Sequence, residues 1–212
     1  MMNAAKILLN AGITTLPVDL KRIAESNDIK IVDYESCAEC YNIDIAEIYR
    51  RISPYGFSFM AEGRYVCAIN EKACGKRRRR WTLAHELAHV LLGHVSGVHQ
   101  EYSGQTENEA DRLAAQLLAP LSVLHFCGVS SAAEIARLCG ISKQAADYRY
   151  EELCRLRRRH SDAYRAATIK GQAQSLSVFF PDQESRLLQQ QMLSFIARYL
   201  TLRSAAPVRD QA

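Results

Sequence analysis

The protein is a chain of 212 residues, a length that suits one medium-sized domain or one domain with a small appendage. Hydrophobic residues make up 48% of the chain and charged residues 24%, a balance that favours a globular protein with an ordinary core and argues against a disordered chain. The net charge is only +4, but basic residues cluster in two runs, 76–80 and 155–160. Such runs are most often solvated faces, and binding of nucleic acid or of an acidic partner is the less common use.

The first residues of the chain predict an amphipathic segment rather than a signal peptide. No apolar run approaches the roughly 18 to 20 residues that span a bilayer, so we expect a cytoplasmic protein with no membrane partner. Seven scattered cysteines are an odd number and predict reduced thiols rather than a disulfide framework. Cys37 and Cys40 have metal-knuckle spacing, but without a second pair they are a weak signal for a metal or redox site.

Short helices and a small sheet are predicted for the first third of the chain. Helical periodicity marks residues 3–11, 17–26 and 44–51, with Pro17 at the start of the second helix. Strand character marks residues 29–34, and two further runs flank Glu62-Gly63, which is a hairpin signal. We therefore expect about three strands, with an exposed edge that is able to hold an extended peptide by main-chain hydrogen bonds.

The stretch from Trp81 to His94 predicts one helix that carries the pattern His85-Glu86-x-x-His89. Residues four apart lie on one face of a helix, so the two imidazoles converge on one point. Such a pair suits Zn²⁺, and Glu86 lies where a general base can reach a metal-bound water. The motif also arises by chance, but histidines and a glutamate inside an otherwise apolar helix each need a partner, and a metal provides one.

A second strong helix is predicted over residues 106–120. Thr106 is its expected N-cap, with Glu109 three residues later in a capping-box pattern, and Pro120 closes it. Its apolar residues make one face, at positions 110, 113, 114, 117 and 118.

A tetrahedral catalytic zinc uses three protein ligands and keeps one position open. The acidic and histidine residues after the motif are His94, His99, Glu101, Glu107, Glu109 and Asp111. His94 lies five residues past His89, about 140° round an ideal helix, so we expect it to point elsewhere. His99 falls in the loop and stays open as a ligand.

The second helix offers better geometry for the third ligand. Glu107 and Asp111 are four residues apart, on one edge of its apolar face. We expect Glu107 to bind the metal and Asp111 to accept the free N–H of a motif histidine. Glu109 is the main rival ligand, although it fits better as a cap. The alternative for all three acids is a solvated first turn that the helix dipole favours.

These blocks together resemble the ImmA/IrrE family of bacterial metallopeptidases, of gluzincin-like type. The resemblance rests on residues 80–89, 107–114 and 117–120, extends to 16–20 and 68–70, and covers the chain from residue 1 to about 125. The family often has other residues at four positions, none of them a presumed ligand: Trp81, Ala88, Leu113 and Ala119.

The resemblance implies a zincin-type fold in which His85 and His89 are ligands, Glu86 is the base and Glu107 is the third ligand. It implies a zinc-dependent endopeptidase that acts on a regulatory protein, typically a helix-turn-helix repressor of a mobile element, prophage or stress response. A role in a toxin–antitoxin-like pair is also suggested by the family. For the donor that steadies the oxyanion, Tyr102 and His99 are candidates on position alone.

Residues 129–160 predict two helices separated at Gly140, with Ser142 capping the second, in a helix-turn-helix-like pattern. The second helix carries Lys143, Gln144 and Arg149, which suggests DNA reading as a rival function. The other interpretation is packing on the catalytic domain or protein recognition, and the resemblance favours it. A single half-site reader without a dimerisation element would also bind DNA weakly.

We therefore predict an α+β fold with a mainly helical, zincin-like core and a small sheet of about three strands. The predicted organisation is a metallopeptidase domain over 1–128, the helix-turn-helix-like segment over 129–160, and a helical extension with a frayed tail over 161–212. The predicted function is a zinc-dependent endopeptidase with a protein substrate. The alternatives are a DNA-binding transcriptional regulator and a partner that binds a repressor without cleaving it.

Overall fold

The computed structural model describes residues 3–73, 75–97, 102–169 and 182–205. These ranges confirm the predicted α+β class, because one three-stranded sheet accompanies a mainly helical chain. In chain order the elements are α1 (Ala4–Asn10), α2 (Leu20–Ser26), β1 (Ile29–Asp33), α3 (Tyr34–Tyr41), α4 (Ile45–Glu47) continued by a π-helical turn (Ile48–Ile52), β2 (Gly56–Ala61), β3 (Arg64–Ile69), α5 (Lys76–Leu91), α6 (Gly104–Leu118), α7 (Leu121–Phe126), α8 (Ala132–Cys139), α9 (Lys143–Ile169), α10 (Gln183–Gln191) and α11 (Leu193–Ala205).

The sheet has the order β1-β3-β2, with β1 parallel and β2 antiparallel to the central β3. The predicted hairpin is confirmed, and its two-residue turn is Glu62-Gly63. Both residues have positive φ, 51° and 75°, as the twist of a tight hairpin requires. The arrangement leaves β2 at an edge of the sheet, where it packs against α5.

Helices α5 and α6 pack against each other, and both contribute buried side chains to the larger hydrophobic core. The apolar face predicted for α6 is buried at all five positions. The capping prediction for this helix is wrong, because Ser103 rather than Thr106 is the N-cap and accepts the N–H of Thr106. The helix therefore starts at Gly104, and Glu109 lies beyond the reach of a capping box.

Helix α2 also starts later than predicted. Its first residue is Leu20, and the Asp19 side chain caps it by accepting the N–H groups of Lys21 and Arg22. Pro17 therefore lies outside the helix rather than at its first position, because an aspartate cap satisfies the free N–H groups of the first turn.

The predicted pair of helices in residues 129–160 is present as α8 and α9. Gly140 joins them with a φ of 66°, in the left-handed region where glycine carries no Cβ penalty. Buried side chains on both helices, among them Ile135 and Leu153, belong to the same hydrophobic core as α5 and α6. The identity of this pair as a DNA-binding helix-turn-helix stays a prediction, as does the division of the chain at residues 128 and 160.

Arg149 does not face solvent, contrary to the expectation that it is presented to DNA. Its side chain is buried, and its Nε and Nη2 atoms donate to the carbonyl oxygen of Ala119 at 3.1 and 2.5 Å. Its Nη1 atom is paired with Glu152. Ala119 is the C-cap of α6, so Arg149 satisfies a carbonyl that the end of a helix leaves without an intrahelical partner. Lys143 and Gln144 are exposed.

The helical extension predicted over 161–212 forms two helices in its described part. Buried Met192 separates α10 from α11, and Leu188 and Ile196 enter the core, as a core-covering element requires. The predicted tail begins inside α11, which runs to Ala205. The rest of that tail and residues 170–181 of the predicted extension lie outside the described residues. Among the helices that the structure describes, none combines the length and the apolarity needed to span a membrane.

Candidate metal centre

Three predicted ligands come together where the first turn of α6 crosses the middle of α5. The Nε2 atoms of His85 and His89 lie 3.1 Å apart, one helical turn from each other on α5. Glu107 places Oε2 at 3.3 Å from Nε2 of His85 and Oε1 at 3.5 Å from Nε2 of His89. In the described part of the chain these residues form a group of donor atoms within 4.8 Å of one another.

The spacing and chemistry of this group fit Zn²⁺. A tetrahedral zinc with bonds of about 2.0 to 2.1 Å separates neighbouring ligand atoms by about 3.3 Å, which is close to all three distances. Two histidines and one glutamate are also a ligand set of catalytic zinc, and they leave a fourth position open. His89 is fully buried, and burial, reinforced by the charges of His85 and His94, lowers its pKa to about 3. Neutral imidazole is the form that binds a metal.

Asp111 lies behind His85, on the side away from the other ligands. Its Oδ1 atom is 2.9 Å from Nδ1 of His85. A carboxylate at this distance holds the ring proton on Nδ1 and keeps the Nε2 lone pair directed at the metal. Glu107 and Asp111, four residues apart on α6, therefore lie at opposite ring nitrogens of His85, and their roles as ligand and support remain predictions.

His94 and Glu109 form a comparable support behind His89, which sequence reasoning missed. Nδ1 of His94 lies 3.2 Å from Nδ1 of His89, and Nε2 of His94 lies 3.3 Å from Oε2 of Glu109. The expectation that His94 points away assumed a continuous helix. Instead α5 ends at Leu91, and Gly93, with a φ of 74°, turns the chain back so that His94 lies beside His89. Gly93 was the sequence signal for this turn, because glycine is common just after the C-terminal end of a helix.

With both Nδ1 protons held in this way, the two Nε2 lone pairs face each other beside a carboxylate. A cation between the three groups, a metal ion or a proton, would relieve the repulsion that results in this tautomer. The outer contacts and the ligand geometry therefore both favour an occupied metal site.

The side chain of Glu86, on α5, is buried where this helix packs against the edge strand β2. Its Oε2 atom accepts a hydrogen bond from Oγ of Ser58 at 2.9 Å, and Ser58 is itself buried. Burial raises the pKa of Glu86 to about 7, although His85 and the Ser58 hydrogen bond oppose that rise. Ser58 was not identified from the sequence, where its signal was a single hydroxyl within an apolar strand.

Tyr102 also lies at this site. Its ring stacks on His89 with centroids 3.8 Å apart, and its hydroxyl is 3.4 Å from Oγ of Ser58. Burial raises the pKa of the Tyr102 phenol, which therefore keeps its proton at neutral pH. The second candidate donor to an oxyanion, His99, lies outside the described residues, as does Glu101.

A histidine pair on one helix and a glutamate on the next form a group that could hold a metal ion, in a mainly helical α+β fold consistent with a zincin-like core. The chain belongs to the family described as IrrE N-terminal-like domain, peptidase family M78, whose model matches residues 38–151. The family supports a metallopeptidase of the ImmA/IrrE kind. The match contains every proposed site residue and continues past residue 128 into α9. Comparisons with curated proteins and with solved structures returned no match.

Replacing Glu107 with glutamine is expected to weaken Zn²⁺ binding by more than about 100-fold. Loss of a supporting hydrogen-bond partner typically costs about 10- to 100-fold, and Glu107 provides a charged ligand directly. Competition with a chromogenic zinc chelator measures the change. The matched control is Glu62→Gln, which neutralises an exposed acid in the β2–β3 turn. Equal zinc affinities of the two variants would remove Glu107 from the ligand set.

Asp111→Asn is expected to have a smaller effect, a loss of about 10- to 100-fold in Zn²⁺ affinity. Asparagine can still approach Nδ1 of His85, but it lacks the charge that fixes the ring proton there. The same competition assay measures the difference, and Asp111→Asn should retain more affinity than Glu107→Gln. An affinity equal to that of the unchanged protein would show that Asp111 does not support His85.

Proposed function

We propose that this protein is a zinc-dependent endopeptidase that cleaves a regulatory protein. The observation that carries the proposal is the triangle of His85, His89 and Glu107 with the buried carboxyl of Glu86 beside it. Membership in a metallopeptidase family supports the same reaction class.

His85, His89 and Glu107 would hold the ion, supported by Asp111 and by the pair of His94 and Glu109. Zinc supplies Lewis acidity, which polarises a carbonyl oxygen and makes water acidic near neutral pH.

Glu86 carries the proton in the proposed reaction. Ser58 occupies its Oε2 atom, which leaves Oε1 to accept a proton from the attacking water. The hydroxide adds to the carbonyl carbon, the C–N bond breaks, and Glu86 returns the proton to the leaving amine. Tyr102 is our candidate for the donor that steadies the oxyanion, because its protonated hydroxyl lies next to Ser58.

The proposed substrate is a helix-turn-helix repressor of a mobile element, prophage or stress response. This part of the proposal rests on the resemblance to the ImmA/IrrE family, which also supports a cytoplasmic site of action. The edge position of β2 supports a polypeptide substrate, because an extended chain can add to a sheet edge by main-chain hydrogen bonds.

A DNA-binding regulator is the weaker proposal for the pair α8 and α9. Arg149 is occupied by the Ala119 carbonyl and by Glu152, so one of the three polar residues expected to face DNA is not available. Titration of labelled DNA at two salt concentrations tests the remaining face. Binding that is indifferent to sequence and is lost at modest salt would rule out a sequence-specific regulator.

Comparing new protein N-termini in cells that express either the unchanged protein or Glu86→Gln tests the proposed function. A repressor fragment that forms only with the unchanged protein would establish cleavage. If Glu86→Gln captures a repressor but the unchanged protein leaves it intact, the protein is a non-cleaving partner and the proposal is wrong.

A further inference from the structure

A groove leads from the metal centre along the side of α5 to the start of α9. It consists of three adjoining cavities that share Trp81 and Asp111 in their walls. The first has a volume of about 210 Å³ and contains His85 and Glu86. The second, of about 550 Å³, and the third, of about 380 Å³, lie against α9. The three cavities therefore adjoin at Trp81 and Asp111, and a polypeptide that reaches from the proposed metal centre to α9 would pass these two residues.

The floor of the second and third cavities is apolar and partly aromatic. Trp81, Ile141, Ala145 and Tyr148 line both cavities, and 62% of the surface of Tyr148 is exposed. A large exposed aromatic residue beside a concave apolar surface is typical of a binding surface. We call these four residues the α9 floor.

The rim of the groove is basic. Arg77 and Arg78 line the second cavity from the first turns of α5, and both are exposed. The guanidinium of Arg78 lies over the ring of Tyr55, 4.5 Å from its centroid, which holds it at the entrance to the catalytic cavity. The acidic residue in the second cavity, Asp111, already contacts His85. Two arginines outnumber this one carboxylate, so the formal charge of the residues that line the second cavity is positive.

We propose that the groove binds the substrate segment that flanks the scissile bond and selects for its sequence. An apolar side chain of the substrate packs on the α9 floor, and acidic side chains next to it face Arg77 and Arg78. The occupant is inferred from the continuity of the groove with the catalytic cavity and from the charge of its rim. The proposal rests on the proposed function in that it takes the occupant to be a substrate.

Trp81 makes the test direct, because it is the single tryptophan of the chain and belongs to the α9 floor. The protein is zinc-loaded Glu86→Gln, which binds without cleaving. The probes are three glycine–serine decapeptides. The glutamate peptide carries one leucine flanked by two glutamates, and the lysine peptide carries the same leucine flanked by two lysines. The peptide without leucine has glycine between the two glutamates. Trp81 fluorescence is recorded as each peptide is added.

We expect the glutamate peptide to bind about five- to tenfold more tightly than the lysine peptide, as two partly exposed charge contacts allow. The peptide without leucine should bind more weakly than its parent. In the double variant Arg77→Glu/Arg78→Glu the preference should reverse toward lysine. The matched control is Arg186→Glu/Arg198→Glu, two exposed arginines on α10 and α11, which should keep the original preference. Tyr148→Ser should lower the affinity for the glutamate peptide by about fivefold or more, because it removes apolar contact area.

Two results would overturn the proposal: no change in Trp81 fluorescence with any peptide, or a glutamate preference that survives reversal of Arg77 and Arg78. Thermal unfolding of each variant shows that the fold is retained. Because the measurement is of binding to an inactive variant, it does not depend on cleavage. If the glutamate peptide is preferred as expected but the unchanged protein cleaves no repressor, the proposed function is wrong and the binding groove stands.

Discussion

Glu86→Gln is expected to lower the rate of peptide-bond cleavage by about 10²- to 10⁴-fold, the range that general acid–base catalysis supplies. Glutamine has nearly the same shape and keeps an oxygen that can accept the Ser58 hydroxyl, so the packing between α5 and β2 is retained. It cannot accept a proton from water or return one to the leaving amine. The proposed ligands His85, His89 and Glu107 are unchanged, so the variant should bind zinc as the unchanged protein does.

The measurement combines single-turnover cleavage of a repressor substrate with zinc content by mass spectrometry. Glu62→Gln serves as the matched control and should keep full activity, because it makes the same chemical change in the β2–β3 turn. A Glu86→Gln variant that is fully metal-loaded and still cleaves at the original rate would show that Glu86 is not the base. Loss of both metal and activity would place its role in the structure of the centre.

Arg149→Met is expected to lower the free energy of unfolding by about 3 kcal/mol. The substitution keeps the apolar part of the side chain but leaves the buried carbonyl of Ala119 without its two donors. Glu152, which is about half exposed, can return to water, so the loss of its ion pair adds little. Urea unfolding followed by circular dichroism measures the change.

Arg158→Met on the same helix is the control, since Arg158 is exposed and its replacement should shift stability by less than about 0.5 kcal/mol. Equal stabilities of the two variants would contradict the structural role of Arg149. A stable Arg149→Met variant that loses sequence-specific DNA binding would instead restore the interpretation of α9 as a recognition helix.

The ligand cluster could be predicted because it follows from helical periodicity. His85 and His89 are four residues apart on α5, and Glu107 and Asp111 are four residues apart on α6. Once the two helices pack through their apolar faces, these edges meet, and the four side chains lie close together. The hairpin could be predicted for a similar reason, since its turn residues are local to the chain.

The remaining contacts depend on where helices end and on residues distant in sequence. His94 reaches His89 only because α5 stops and Gly93 reverses the chain. Ser58 reaches Glu86 across 28 positions, through packing of β2 on α5. Arg149 was expected on a DNA-facing side of the second helix of the helix-turn-helix-like pattern, but the carbonyl at the end of α6 provides a buried partner. No single-sequence pattern contains these distances.

Helix α6 supplies three carboxylates to this centre at alternate positions, and each has a separate task. Glu107 faces both ligand histidines, Glu109 contacts His94, and Asp111 contacts His85. A rigid helix moves these groups together, so a slide of α6 along α5 disturbs the ligand and both histidine supports at once. Metal affinity therefore depends on the position of α6 relative to α5. A substitution in their shared core, for example at Ala114, would alter zinc binding without contacting the ion.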